Sequence, residues 1–352
     1  MKIYKVAIVG FGVVGKLRAN CVKHSPFCEI VVVVDQSFSD PTIASKIRTS
    51  YGSEVISDYS QLVNYSLDIV FVCLPNYLAG IVTIFGLKNG LHVFCEKPPC
   101  KSLRELLEIE EVYRQTKGLV LQYGFNHRHH DSVRKALHLH RSGEYGSLIC
   151  MRGVYGKSKL ITFDQPDWRT KREFAGGGVL LDQGIHMIDL MILFGGNFIE
   201  VSSAISNRTW NYDVEDNAYA ILKSQEGVLA SLHSSATQWD HRFTLELTYD
   251  NGSITLEGLL TGSRSYGTEK IKLIKVDHDR HMGIPENEIV WEFDEDPSWD
   301  RELEGFVNKI RKIFPSKSDE DVYASIDDAI ESMSLIERIY CADEAWIRKY
   351  PV

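Results

Sequence analysis

The segment GGGVLLDQGIHMIDL (176–190) sets three proton-handling side chains, Asp182, His186 and Asp189, into an otherwise apolar stretch. At about 100° per residue the three share one helix face, beside a stripe of Leu181, Ile185 and Ile188. The stripe must face a core, so the polar edge next to it must look into something. A carboxylate one turn from an imidazole, which titrates near neutrality, is a pairing suited to general acid–base chemistry.

A second constellation opens the chain. KVAIVGFGVVGKLRANCV (5–22) runs from an apolar segment through Gly10-Phe11-Gly12-Val13-Val14-Gly15 into a helical pattern. The first glycine allows a tight turn, the second lets backbone approach a pyrophosphate, and the third permits close helix–strand packing. The helix N-terminus attracts the phosphates. The next apolar run, EIVVVVDQ, ends in Asp35, 20 residues beyond Gly15, where an acid would hold the two ribose hydroxyls. An acid there repels a 2′-phosphate, so NAD is expected rather than NADP.

The elements that position these groups alternate. LDIVFVCLP (67–75), LHVFCE (91–96) and LVLQYG (119–124) read as buried strands, with helices near 77–89 and over 102–118, the latter opened by Ser102. This rhythm predicts a parallel, doubly wound sheet, in which ligands sit beyond the carboxyl ends of the strands. Leu74, Pro75 and Asn76 fall at one such end. Glu96, Lys97 and Pro98 fall at another, which places Lys97 at the cofactor crevice.

At 352 residues the chain is long enough for two domains, and 44% hydrophobic with 25% charged residues is a globular composition. A formal charge of −9 argues against nucleic-acid and anionic-membrane partners, which take clustered Lys and Arg. No uniformly apolar run of about 20 residues announces a membrane span, and the N-terminus reads as a first strand rather than a signal peptide. The seven cysteines are odd in number and lack a CxxC, as expected of reduced thiols in a cytoplasm.

Six motifs then occur in order: Gly10/Gly12/Gly15, Leu74-Pro75-Asn76, Glu96-Lys97-Pro98, Gly124-Phe125-Asn126 with Arg128, Trp168-Arg169, and GGG-x-x-x-D-x-G-x-H-x-x-D at 176–189. Together they resemble the glucose-fructose oxidoreductase / inositol dehydrogenase / rhizopine-catabolism (Gfo/Idh/MocA) family of NAD(P)-dependent oxidoreductases, over essentially the whole chain. The resemblance implies an α/β protein: a Rossmann domain with a doubly wound parallel sheet, expected over 1–124, then an α/β domain with a large, mostly antiparallel open sheet, expected over 125–352. One face of that sheet would cover the active site and the other would make subunit contacts, giving a homodimer or homotetramer.

Lys97, Asp182 and His186 match the family's catalytic positions. His186 would take a hydroxyl proton while hydride leaves to the nicotinamide, Lys97 would stabilise the developing alkoxide, and Asp182 would orient substrate or imidazole. Phe11, Val13, Val14, Leu74, Pro75, Asn76, Glu96, Lys97, Asn126 and Arg169 are expected, with the three glycines and Asp35, to hold the cofactor. Lys97, Arg128, His130, Tyr155, Trp168, Asp182 and His186 are expected to meet the substrate, with Lys157, Gln238, Trp239 and His241 as further candidates. The implied reaction is hydride transfer between NAD(H) and a secondary alcohol or ketone of a sugar-like molecule. A likeness of HRHHDSVRKAL, YGKS and DWR to members in surface-sugar biosynthesis points towards a sugar nucleotide. The rival readings are an NAD-dependent redox-neutral glycosidase and a non-catalytic NAD-binding sensor; the retained Lys–Asp–His set speaks against the sensor. Leu74 and Ala79 depart from the family's usual residues at non-catalytic positions, as does the Pro99-Cys100 that follows Lys97-Pro98.

Other signals are weaker. NHRHHDSVRKALHLH (126–140) holds five histidines but no recognisable zinc spacing, so no metal is expected. His129 or His130 is placed at the pocket, and His138 and His140 in a plain helical segment. Residues 198–293 alternate apolar and polar positions, and Asn251-Gly252 between two such runs marks a hairpin. Loop signals are densest at 156–176 and 277–300. Two core-packing helices, near 298–313 and 321–345, close the chain.

Overall fold

Apolar runs too hydrophobic for a half-solvated sheet form β1 (Tyr4–Val9), β2 (Cys28–Val34), β4 (Ile69–Val72), β5 (His92–Glu96) and β6 (Leu121–Gly124), with the short β3 (Glu54–Ile56) at the edge. They pair in parallel in the order β3-β2-β1-β4-β5-β6. The intervening helices include α1 (Val13–His24), α2 (Pro41–Tyr51), α3 (Asn76–Lys88) and α4 (Leu103–Gln115). The Ser102 side chain caps α4 by accepting from the Glu105 amide. The strand order reverses between β1 and β4, and that switch point is where such sheets bind ligands. The computed structural model describes residues 2–158, 168–276, 287–313 and 322–351. The parts of the expected loops at 159–167 and 277–286, and the expected start of the last helix at 321, lie outside the described residues.

The chain divides into two units, and the first is discontinuous: residues 1–126 are joined by 299–330, although the sequence reading groups all of 125–352 together. The cause is the helix Ser298–Ile310. Its Leu303, Phe306 and Val307 pack into the same core as Ile8, Phe71 and Phe94. Periodicity identifies these as core residues but not which core they enter.

The second unit comprises 127–298 and 331–352. Between α5 (Asp131–Ser142) and the next helices lies β7 (Leu148–Ser158). Then come α6 (Arg172–Ala175) and α7 (Ile185–Gly195), followed by β8 (Phe198–Ser206), β9 (Asn217–Ser224), β10 (Leu229–Gln238), β11 (Arg242–Tyr249), β12 (Gly252–Glu257), β13 (Glu269–Lys275) and β14 (Asn287–Phe293). The strands form one sheet ordered β14-β13-β12-β11-β7-β10-β9-β8, antiparallel except where β7 meets β10. Helix α5 packs over β12 to β14 and α7 over β7 and β10. Alternation gives the sheet one buried face; the other leaves Tyr219, Ile221 and Leu229 about half exposed. The expected hairpin joins β11 and β12, but Tyr249 pairs with Gly252, so its turn is Asp250-Asn251. Gly252 starts the next strand, where a Cβ would lie 2.4 Å from the Ile274 carbonyl oxygen. Contrary to the sequence expectation, the stretch Arg172–Gly195 is long and apolar enough to cross a membrane, but it is mostly buried inside the protein, as a core helix is.

Candidate active site

In the first unit, the turn after β1 gives each glycine its own reason. Gly10 has φ +89°, and a Cβ there would lie 2.3 Å from the Cys73 carbonyl oxygen; one at Gly15 would lie 2.0 Å from that of Gly10. At Gly12 a Cβ would meet nothing within 4 Å. The fold itself therefore does not demand Gly12, the residue that immediately precedes α1. That helix has no side-chain cap and no acid in its first turn, which leaves its N–H groups for an anion. A pyrophosphate fits this cradle. Phe11 is buried and Val13 is exposed.

Asp35, after β2, is tied to the same turn. Its Oδ2 accepts the Phe11 amide at 2.7 Å, and its Oδ1 accepts the Ser37 amide at 2.9 Å and hydroxyl at 2.6 Å. Burial pushes this carboxyl up, but the hydrogen bonds from Ser37 and Phe11 outweigh it and hold the group below its usual range. At the carboxyl end of β4, Leu74 and Pro75 lead into α3 with Asn76 buried. At the end of β5, Glu96 is buried and Lys97 is half-buried, joined to Pro98 by a cis peptide bond. Asn126 is buried just after β6.

In the second unit, Asp182 and His186 do not lie on a plain α-helix. Leu180–Gly184 is a π-helical turn that leads into α7, and such widened turns recur at functional sites. The buried Glu215 carboxylate clamps its approach, accepting the amides of Gly178 at 2.8 Å and Leu180 at 2.9 Å and the Tyr340 hydroxyl at 2.8 Å. A Cβ at Gly177 would meet the Tyr340 hydroxyl at 2.2 Å, and one at Gly178 the Glu215 carbonyl oxygen at 2.1 Å. The glycine run thus admits the clamp. Leu181, Ile185 and Ile188 are buried, as their stripe requires.

The polar edge then divides. Asp182 is partly exposed and faces Lys157 Nζ at 3.3 Å and Arg169 Nε at 3.8 Å. The Arg169 guanidinium lies 4.3 Å over the ring of the half-buried Trp168. Asp189, by contrast, is fully buried and takes a two-pronged ion pair from Arg128, at 2.8 Å from Nε and 2.6 Å from Nη2. Arg128, expected against substrate, is itself buried in this pair. His130, also expected at the substrate, is buried with Nδ1 2.7 Å from Glu269 Oε2. Tyr155 is buried too, its hydroxyl 2.9 Å from His127 Nε2. A motif match assigns a backbone position, but it does not say how a buried side chain is satisfied.

His186 is buried, and the ring of His127 lies flat on it, centroids 3.6 Å apart. The sequence reading sees His127 only as one of a histidine run. It also passes over Gln183, whose Nε2 donates to the Tyr266 hydroxyl at 3.0 Å. His241 meets Tyr266 edge-on at 4.8 Å, and Trp239 is exposed beside it in the chain. No short-range pattern signals these contacts, because each joins segments far apart in sequence. Among the described residues, no three His, Cys, Asp or Glu side chains converge as a metal set.

A doubly wound sheet with an open glycine cradle, and a second unit whose π-turn Asp182 leads into the His186 helix on a large open sheet, define the class of Rossmann-fold oxidoreductases with a C-terminal α/β domain. Residues 4–125 match the oxidoreductase family described as NAD-binding Rossmann fold, and residues 133–255 match the GFO/IDH/MocA C-terminal domain. The chain belongs to the GFO/IDH/MocA family, and its first unit is an NAD-binding Rossmann fold. It is 30% identical over 254 residues to D-glucoside 3-dehydrogenase of Escherichia coli (strain K12), covering 66% of this chain and 70% of that protein. In fold it is similar to levoglucosan dehydrogenase in complex with NADH, with a TM-score of 0.81, 19% identity and 98% of each chain covered. It is also similar to the WlbA dehydrogenase from Bordetella pertussis in complex with NADH and UDP-GlcNAcA, with a TM-score of 0.77, 17% identity, and 97% of this chain and 96% of that one covered.

Proposed function

We propose that the protein is an NAD-dependent dehydrogenase or ketoreductase that acts on a secondary hydroxyl or ketone of a sugar ring, in a glycoside or a sugar nucleotide. The observation that carries this reading is the clamped π-turn bearing Asp182, which leads directly into His186 on α7, with Lys157 and Arg169 gathered on Asp182. Such a polar set suits a substrate with several hydroxyls. The name of the E. coli relative, D-glucoside 3-dehydrogenase, and those of levoglucosan dehydrogenase and of the WlbA dehydrogenase in complex with UDP-GlcNAcA support the same substrate class.

When bound, NAD supplies the hydride acceptor. His186 takes the proton of the reacting hydroxyl, and the Lys97 ammonium opposes the negative charge that develops on its oxygen. Asp182, held by its two cations, orients neighbouring hydroxyls; in reduction His186 returns the proton. The glycine turn, Asn76, Asn126 and Arg169 serve the cofactor, and an anionic Asp35 favours NAD over NADP. The half-exposed apolar face of the large sheet supports assembly into a homodimer or homotetramer. The unpaired state of all seven cysteines supports a cytoplasmic location.

The test is NADH formation across a panel of free sugars, glycosides, anhydrosugars and UDP- and TDP-sugars. Turnover with one class identifies the substrate. Bond cleavage in a glycoside without net NADH would replace this reading by the redox-neutral glycosidase, and silence with NADH binding intact would favour the sensor.

A further inference from the structure

We propose that His127 is a positioning residue for His186, one that holds the plane of its imidazole and keeps the stacked pair to a single proton. The inference rests on the reading of His186 as the base. Both rings are buried, 5% and 4% exposed, with centroids 3.6 Å apart and planes 12° apart. Aromatic rings ordinarily avoid a face-to-face sandwich, so other contacts must hold this one. On one side, His127 Nε2 is 2.9 Å from the Tyr155 hydroxyl. The ring of Tyr155 packs against that of Tyr266, centroids 5.5 Å apart, and the Tyr266 hydroxyl accepts from Gln183. Gln183 lies in the π-turn between Asp182 and His186, so this chain of contacts closes on the segment that carries the base. On another side, the His127 ring meets His130 in a T-shaped contact at 5.6 Å, and Glu269 anchors His130.

Charge follows from this geometry. Two imidazolium ions stacked at this distance, with water excluded, repel each other strongly. The pair therefore takes one proton readily and a second only at much lower pH, as a coupled system. The titratable groups around it include Tyr155 on β7, which meets both rings, Tyr266 and Asp182 next to Tyr155, and the His130–Glu269 pair from the start of α5 and from β13. While His186 holds the substrate's proton, His127 stays neutral and presents a flat, polarisable face to it.

The test combines an NMR titration of protein labelled with 15N-histidine, in which His186→Gln assigns the signal, with kcat and KM for wild type, His127→Phe, His127→Ala and Tyr155→Phe. In wild type the two imidazoles are expected to report two coupled steps. In His127→Phe, which keeps a flat ring, His186 titrates in one step displaced upward by about half a unit or more, and kcat stays within about threefold of wild type. In His127→Ala the ring plane is lost and kcat falls about tenfold or more with little change in KM. Tyr155→Phe leaves both imidazoles in place and changes the 15N shift of His127 Nε2. A His186 titration identical in wild type and both His127 variants overturns the proposal. So does an equal kcat loss in His127→Phe and His127→Ala with an unmoved titration, which would mark His127 as packing only. The titration needs no substrate, so a wild type that oxidises no sugar would refute the function while the stack is still decided.

Discussion

Arg18 and Glu96 form an ion pair from which water is excluded: Nε lies 2.6 Å from Oε1, and the arginine side chain has no exposed surface. Glu302 takes the other edge of the guanidinium at 2.5 Å, and the rings of Phe94 and Trp299 lie 4.3 Å and 4.5 Å from it. Glu96 immediately precedes Lys97, so the pair anchors the strand end from which that lysine projects. Removing one partner of such a cluster leaves uncompensated buried charge. Arg18→Met is expected to lower the unfolding free energy by about 3–5 kcal/mol. Arg104→Ala, which breaks an exposed pair with Glu108, should change it by no more than about 0.5 kcal/mol. Urea unfolding of the two variants checks the contrast.

The three glycines of the first turn should separate folding from cofactor binding. Gly10→Ala forces a left-handed backbone onto an L-residue and drives its Cβ against Cys73, so a lower melting temperature is expected. Gly15→Ala meets the Gly10 carbonyl and should behave alike. Gly12→Ala meets no protein atom; its melting temperature should match wild type while NADH binding weakens about tenfold or more. Thermal melts paired with NADH fluorescence titrations read both effects.

Asp35 is held anionic by Ser37 and the Phe11 amide, and a fixed negative charge at that strand end opposes a 2′-phosphate. Asp35→Ala is expected to lower the NAD-to-NADP ratio of kcat/KM by about tenfold or more. Steady-state kinetics with both cofactors measure it, and an unchanged ratio would remove Asp35 from cofactor selection.

Two buried acids of the second unit should respond to pH in opposite senses. Burial pushes Glu269 up, but the hydrogen bond and charge of His130, with the Ser132 amide, bring it below its usual range. With a folded value below the unfolded one (about 4.3), Glu269 contributes stability above that unfolded value and loses it as pH falls through the lower folded value. Glu215 is raised by burial despite its three donors. Its contribution is full below the unfolded value and is lost as pH rises through the folded one. Urea midpoints against pH should therefore show the cost of Glu269→Gln shrinking in acid, whereas the cost of Glu215→Gln should shrink as pH rises from acid towards neutrality.

Much of this architecture is legible in the chain because its signals are local. The Gly10–Gly15 turn, the Asp35 strand end and the Leu181/Ile185/Ile188 stripe each follow from spacing within one element. What spacing cannot carry is the partner across the fold. Asp189 and Asp182 read alike on one helix edge, yet Arg128 closes on the first while Lys157 and Arg169 meet the second. His127 reads as one histidine among five, and only the fold lays it on His186. Phe306 reads as core, but its place in the first unit depends on a chain return that no local pattern marks.

The most direct test of the account compares wild type with Lys97→Ala and His186→Ala, using the sugar that the panel identifies and measuring NADH binding alongside. The account predicts that kcat/KM falls about 100-fold or more in each variant, while the melting temperature is kept and NADH binding stays within about tenfold of wild type. Turnover at the wild-type rate in either variant would contradict it.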